Sequence, residues 1–488
     1  MPIKPKPGVC YLVAIDPWAN DGIFSLSEGQ VSQIMVPTFY QPTKDAGNPV
    51  IEDGGFCSVL KCADGKYRCW YMTQCRLNGG VTVRDAVGVA VSDDKVTWTL
   101  PDLGTFPNDP TVSGVHNLVW RGVGDVFASG CSVMHAPPGS NFVYLMLYRT
   151  LGGLHLVGCT NVEGTAWSKS SDFVLHPMTI DSNWVLVPSI DELSWILISR
   201  PDVWGSTGQA AIDRGNQRRM AITRIPSLTA PGHKPVQIVL SADARDKANS
   251  YHHFYSFSAQ KHPSGLYLAW PHMFSQTGAQ PISPNFAWSR DCNTWLRAPD
   301  RIDFLPRGSV GQWDVGMTFL ASAGYLEDGD DWLWYYPGWD GGHDVPGRTP
   351  GEDPDPPNNR TVRTGLAITR RDRIAAFEGP AGGAFTSSRP MRVPDNCDLF
   401  LNVDPRIASG GKPILARIMS ESRRDPSVPA QYGALTGFAF ANCTPIETDS
   451  TRLTVSWPGA DVRSLAGQVI RLEVYIEDGA RYFGWGFH

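Results

Sequence analysis

Short apolar runs of five to seven residues recur along the chain, each closed by Gly, Pro, Asn or Asp, and no long amphipathic helical pattern interrupts them. The most aromatic run follows Asp331: Trp332, Trp334, Tyr335 and Tyr336 read as a strand buried on both faces, with Pro337-Gly338 as the turn that ends it. Four earlier runs share its texture, at 67–71, 142–148, 195–199 and 266–270. Spacings of roughly 50 to 75 residues point to radial repetition of one small sheet. A second run follows each of the five, at 86–92, 154–160, 219–224, 285–289 and 365–370, and a fourth, outer strand fits between units. After Glu378-Gly379-Pro380 the texture changes to closely spaced short runs at 385–393, 399–403, 414–420, 435–442, 453–457, 469–476 and 482–487. Strands at that density without helices suggest a β-sandwich. The pattern predicts an all-β chain: a five-bladed β-propeller over 1–380, opening with a lead-in over 1–50, then a β-sandwich over 381–488.

Composition narrows the function classes. A chain of 488 residues with 42% hydrophobic and 18% charged residues has ample material for two cores. The net charge is −6 and no basic stripe occurs, which argues against nucleic acid as a partner. No apolar run approaches the ~18 residues of a membrane span, and Val9–Ile15 is too short for a signal-peptide core. The protein is therefore expected to be cytoplasmic, or exported with its leader removed; assembly into a homo-oligomer stays open. Cys57, Cys62, Cys69 and Cys75 cluster without zinc-type spacing and sit in expected strands, so no metal and no cofactor is expected. Seventeen Trp and fifteen Tyr mostly fill strand cores, and the remainder offer flat surfaces for sugar rings.

Topology places the candidate chemistry. In a blade of antiparallel strands, residues just before the first strand and just after the second converge on one end of the central channel. The first group contains Glu52-Asp53, Asn117 or Asp125, Asp181, Asp246 with Tyr251-His252-His253, and Asp314; the second contains Gln74, Arg149, Arg200 with Asp202, His272, and Asp340 with His343. Glycosidic cleavage needs one carboxylic acid and one carboxylate, and crowded carboxylates raise one another's pKa. Asp53, Asp181 and Asp314, with Glu52 as substitute, are the expected catalytic set. Arg200, His272, His343, Trp339, Arg149, Gln74 and His252 are the expected substrate-binding set. The Pro-, Gly- and Asp-rich segment 339–363 leaves the same rim and reads as a lid, with Trp339 and Trp204 as stacking surfaces.

The Ser-x-Asp-x-x-x-Trp stretches at 92–98 and 289–295 resemble the Asp-box turn of sialidase-type propellers, a structural motif. The repeat with Asp at inner-strand starts and a following sandwich resembles the five-bladed glycoside hydrolases of families 32, 43 and 68. The texture of 64–71, 92–94, 365–373 and 401–404 is similar to that of bacterial "family 32 N-terminal domain-like" proteins. The resemblance implies hydrolysis of an oligo- or polysaccharide. The invertase-type Trp-x-Asn-Asp-Pro-Asn-Gly motif is absent, Arg200-Pro201-Asp202 only echoes Arg-Asp-Pro, and no Glu-Cys motif occurs, so fructan specificity is not implied. A non-catalytic glycan-binding propeller and a sialidase-like exo-glycosidase are the alternatives.

Overall fold

A computed structural model describes residues 2–488 except 17–18, 21, 26–34, 78–81, 105–111, 114–116, 122–128, 151, 178–183, 201–217, 230–234, 276–277, 344–360 and 421–432. The fold is nearly all β, and its recurring unit is a four-stranded antiparallel sheet of the kind that builds a propeller. The chain divides into two compact units, one of residues 41–328 and 332–368, the other of 1–40, 329–331 and 369–488.

In the larger unit the first sheet runs Cys57–Lys61, Tyr67–Leu77, Thr82–Ser92, Leu118–Trp120. The second runs Ser129–His135, Tyr144–Thr150, Gly153–Cys159, Phe173–His176, and the third Val185–Pro188, Trp195–Ser199, Met220–Ile225, Gln237–Leu240. Two further series share one larger sheet, joined by a single parallel pair, Ile282 with Met317. The fourth series comprises His253–Lys261, Tyr267–Phe274, Ala287–Ser289 and Trp295–Arg297. The fifth comprises Met317–Thr318, Asp331–Trp339, Val362–Arg370 and, from far earlier in the chain, Thr43–Lys44.

The inner strands of these sheets, such as Tyr144–Thr150, Trp195–Ser199 and Tyr267–Phe274, are buried on both faces, which explains the unbroken apolar runs. Neighbouring positions on Tyr67–Leu77 alternate between two cores. Trp70 packs with Tyr144, Met146, Val157 and Trp167 of the second sheet, whereas Cys69 and Tyr71 pack with Leu333, Tyr335 and Leu366 of the fifth. The second and third sheets share Leu145, Leu156, Trp184 and Leu197; the third and fourth share Val187, Ile222, Phe257 and Met273. Between the fourth and fifth lie Trp270 and Trp334, 4.9 Å apart in T-shaped contact, with Phe304 beside them.

One expected turn is strand. Asp331–Trp339 continues through Pro337-Gly338, pairing Thr318 with Gly338 and Met317 with Trp339. Proline is tolerated because the pairing here uses its carbonyl, which accepts from Phe319 N–H at 2.9 Å. Gly338 is required because Trp313 and the Asp314 side chain pack directly over it.

The smaller unit holds two antiparallel sheets. One places Arg481–Phe487 between Ala375–Glu378 and Leu399–Asp404, with Ser450–Thr454 beyond; the other places Val469–Ile476 beside Ala384–Ser387, Met391–Arg392 and Leu415–Ser420. The first forty residues differ from the lead-in expected of them. Cys10–Leu12 pairs with residues of Arg481–Phe487, Gly22–Ser25 with Ala384–Ser387, and Thr38–Phe39 with Ala375–Glu378. Glycine at 484 and 486 permits this, since side chains there would run into Cys10 Sγ and Phe400. The expected strand at 435–442 is a turn ending in the 3-10 helix Phe440–Asn442, because Gly437 takes φ +86°.

Candidate functional site

Tyr255 is where the sheet geometry gathers side chains. In the pairing of His253–Lys261 with Tyr267–Phe274, Phe254 faces Met273 and Ser256 faces His272, so Tyr255 is an extra residue, a β-bulge. A bulge leaves its residue out of the ladder and re-aims its side chain. The freed Tyr255 carbonyl accepts from Arg200 Nη1 at 2.8 Å, and the Tyr255 hydroxyl meets His343 Nε2 at 3.0 Å. Around its ring lie Phe319 at 5.7 Å, Phe274 at 5.8 Å and the His343 imidazole at 5.0 Å. The Arg200 and Arg218 guanidinium carbons stand 5.0 and 5.4 Å from the ring centre. Phe319 continues the aromatic surface to Trp339 at 4.9 Å and to Phe56 at 5.2 Å.

These residues come from four sheets. Phe56 precedes the first strand of the first, Arg200 follows the second strand of the third, Tyr255 opens the fourth, and Phe319 and Trp339 belong to the fifth. Of the side chains expected at the rim, the structure brings Arg200, Trp339 and His343 together here. It puts His272 behind them: the imidazole is fully buried, with Ser256 Oγ on Nδ1 at 2.6 Å and Leu320 N–H donating to Nε2 at 3.1 Å. Phe319 covers it at 5.0 Å, and burial pushes its pKa down to about 3, so it acts as a neutral wedge between strands. His252 adjoins His253 at 6.3 Å, half-buried. Arg149 pairs in register with Ser129, and Gln74 with Asp85, in the second and first sheets.

The described carboxylates have separate partners. Asp53 is half-buried; its Oδ1 accepts the Gly54 N–H at 2.7 Å and its Oδ2 the Thr73 hydroxyl at 3.2 Å. Glu52 is exposed and pairs with Arg363 at 2.8 Å. Asp314 is 2% exposed, paired with Lys44 at 2.5 Å and approached by the Tyr336 hydroxyl at 3.3 Å. No hydrogen bond or ion pair joins Asp53 to Asp314, and they share no partner among the described residues. Asp181, Trp204 and most of the lid segment lie outside the described residues. Sequence reasoning missed Tyr255 and Arg218. It also missed Asp303, whose pKa burial pushes up and which receives the Tyr251 hydroxyl at 2.9 Å and Asn285 Nδ2 at 3.2 Å.

The described cysteine side chains are free and buried, and no group of three His, Cys, Asp or Glu able to hold a metal ion occurs among the described residues. No helix among them is long and apolar enough to cross a membrane.

A set of small antiparallel sheets with an aromatic and cationic cluster at their strand ends is the class of protein defined here. No protein-family model and no curated protein matches the chain. Among solved structures it is similar to an N-acetylgalactosamine deacetylase from F. plautii in complex with blood group B trisaccharide (12% identity, TM-score 0.46, 70% of this chain and 96% of that one). It is also similar to a glycoside hydrolase family 43 arabinoxylan arabinofuranohydrolase from Bacillus subtilis (13%, 0.42, 92% and 99%). A third is the alpha-L-arabinofuranosidase from Podospora anserina (12%, 0.42, 68% and 98%).

Proposed function

We propose that the protein is a glycoside hydrolase built as a five-bladed β-propeller followed by a β-sandwich, acting on an oligo- or polysaccharide at the axial end marked by Tyr255. The observation that carries this reading is the bulged Tyr255, with Arg200, His343, Phe319 and Trp339 drawn around it from separate sheets. The half-buried rings of Tyr255 and Trp339, backed by Phe319 and set beside fixed polar groups, match a sugar, which has apolar C–H faces and hydroxyl edges. Acid and base roles fall to Asp53 and Asp181, with Glu52 as substitute. Asp314, buried against Lys44, suits a role in holding the rim more than contact with a solute.

A screen of aryl glycosides and of plant and bacterial polysaccharides tests the activity. With a substrate in hand, Asp53→Asn is expected to lower kcat by about 100-fold or more with binding retained. Sugar binding without turnover by the wild type would instead make the chain a glycan-binding propeller.

A further inference from the structure

Of the described candidates Glu52, Asp53 and Asp314, Asp53 is held by uncharged donors. Glu52 pairs with Arg363 and Asp314 with Lys44, whereas Asp53 Oδ1 accepts the Gly54 N–H at 2.7 Å and Oδ2 the Thr73 hydroxyl at 3.2 Å. A carboxylate oxygen can accept twice, so with one bond to each among the described residues Asp53 keeps a lone pair on both. Asp53 is also half-buried, where Asp314 is 2% exposed.

The surroundings of Thr73 are fixed. The segment from Asp53 to Phe56 is clamped to strand Tyr67–Leu77: Gly55 N–H donates to the Met72 carbonyl and Met72 N–H to the Phe56 carbonyl, both at 3.0 Å. Phe56, at the far end of this clamp, stands 5.2 Å from Phe319 and 5.8 Å from Trp339, so one short segment sets both the carboxylate and the aromatic surface. Tyr71 and Thr73 share one face of their strand. Opposite Tyr71 is Gly88, where a Cβ would stand 3.2 Å from Tyr71 and 3.3 Å from both Asn117 and Thr73. The missing side chain lets Asn117 Nδ2 reach the Tyr71 hydroxyl at 2.7 Å and the Val89 carbonyl at 3.0 Å. Both residues are buried, and burial, then the Asp53 charge, push the Tyr71 phenol up, so it stays protonated.

We propose that Thr73 is the positioning residue for Asp53 in glycosidic cleavage, its hydroxyl holding the carboxylate in one orientation while Tyr71 and Asn117 keep Thr73 in place. This rests on the hydrolase reading given above and adds a residue that acts through Asp53.

Release of 4-nitrophenolate by the full chain from 4-nitrophenyl glycosides of the common pentoses and hexoses tests it. Thr73→Val keeps the shape of the side chain and loses the hydroxyl. Its kcat should fall at least about tenfold with KM within about twofold, and Thr73→Ser should return kcat to within about threefold of the wild type. A side chain that only supported the strand would move the melting temperature without that split. Thr73→Ala takes the place of the valine variant if the latter does not fold. Unchanged kcat in Thr73→Val, or no recovery in Thr73→Ser, overturns the positioning role; loss of turnover in Asp53→Asn would then leave the hydrolase reading standing. Full turnover by Asp53→Asn overturns the role of Asp53 and that of Thr73 with it. No turnover by the wild type removes the hydrolase reading as well.

Discussion

At the scale of single residues, a side chain's neighbours decide what its type alone leaves open. His272 was a reasonable rim candidate from its place near the end of a second strand, yet its ring is buried and neutral. In the unfolded chain it takes a proton below about pH 6.5; in the fold it resists one down to about pH 3. Stability from this site is therefore complete above pH 6.5 and falls as pH drops below it, by about 1.4 kcal/mol per unit. Urea midpoints should thus be lower at pH 5 than at pH 7 by the equivalent of about 2 kcal/mol, and His272→Gln should flatten that slope. Gly164 gives a second prediction. It takes φ +66°, its carbonyl accepts from Trp70 Nε1 at 2.9 Å, and a methyl there would enter the Trp70 ring. Gly164→Ala should cost about 2–4 kcal/mol, read as a fall in melting temperature. Arg200, Trp339 and His343 could be named from strand ends, because strand-end position is encoded by pattern. Tyr255 could not be found that way, although a trace was present. Phe254 and Phe257 point into one core three residues apart, a spacing that strand alternation allows only with an extra residue between them.

Among the elements, the turns at the sheet edges were the most legible. Asp291 Oδ1 receives Asn293 and Thr294 N–H at 2.8 Å each and the Ser289 hydroxyl at 3.0 Å, while Trp295 Nε1 donates to the Cys292 carbonyl at 2.9 Å. Asp94 repeats the arrangement with Val96, Thr97 and Ser92, and these bonds hold its carboxyl at about 2. The second sheet reaches the same turn with an uncharged residue: Asn161 Oδ1 accepts from Thr165 and Ala166, and Trp167 Nε1 donates to Gly164. The side-chain carbonyl, not the charge, is the common part. Asp291→Asn should therefore be nearly silent in thermal unfolding, and Asp291→Ala should cost about 1–2 kcal/mol. Pro337-Gly338 was misread for the opposite reason. A local turn signal gave way to pairing with Met317–Thr318, a partner set by a distant part of the fold.

For the whole molecule, the all-β character and the recurrence of small antiparallel sheets were visible in the chain, whereas the destination of its first fifty residues was not. Strand pairing over such distances leaves no local periodicity, because Thr43–Lys44 and Cys10–Leu12 are too short to show one. Thr43 and Lys44 supply the outer strand of the fifth series, pairing with Ile368 and Ala367. Removal of residues 1–49 would strip that strand and three others from their sheets, and the truncated chain is expected to be insoluble or to unfold without a cooperative transition by calorimetry. The pairing of Cys10 with Gly486 has a further cost in time. During synthesis Cys10–Leu12 leaves the ribosome long before Arg481–Phe487 and must wait for its partner. Refolding from denaturant should likewise be slow, with Cys10–Leu12 among the last strands to find its place.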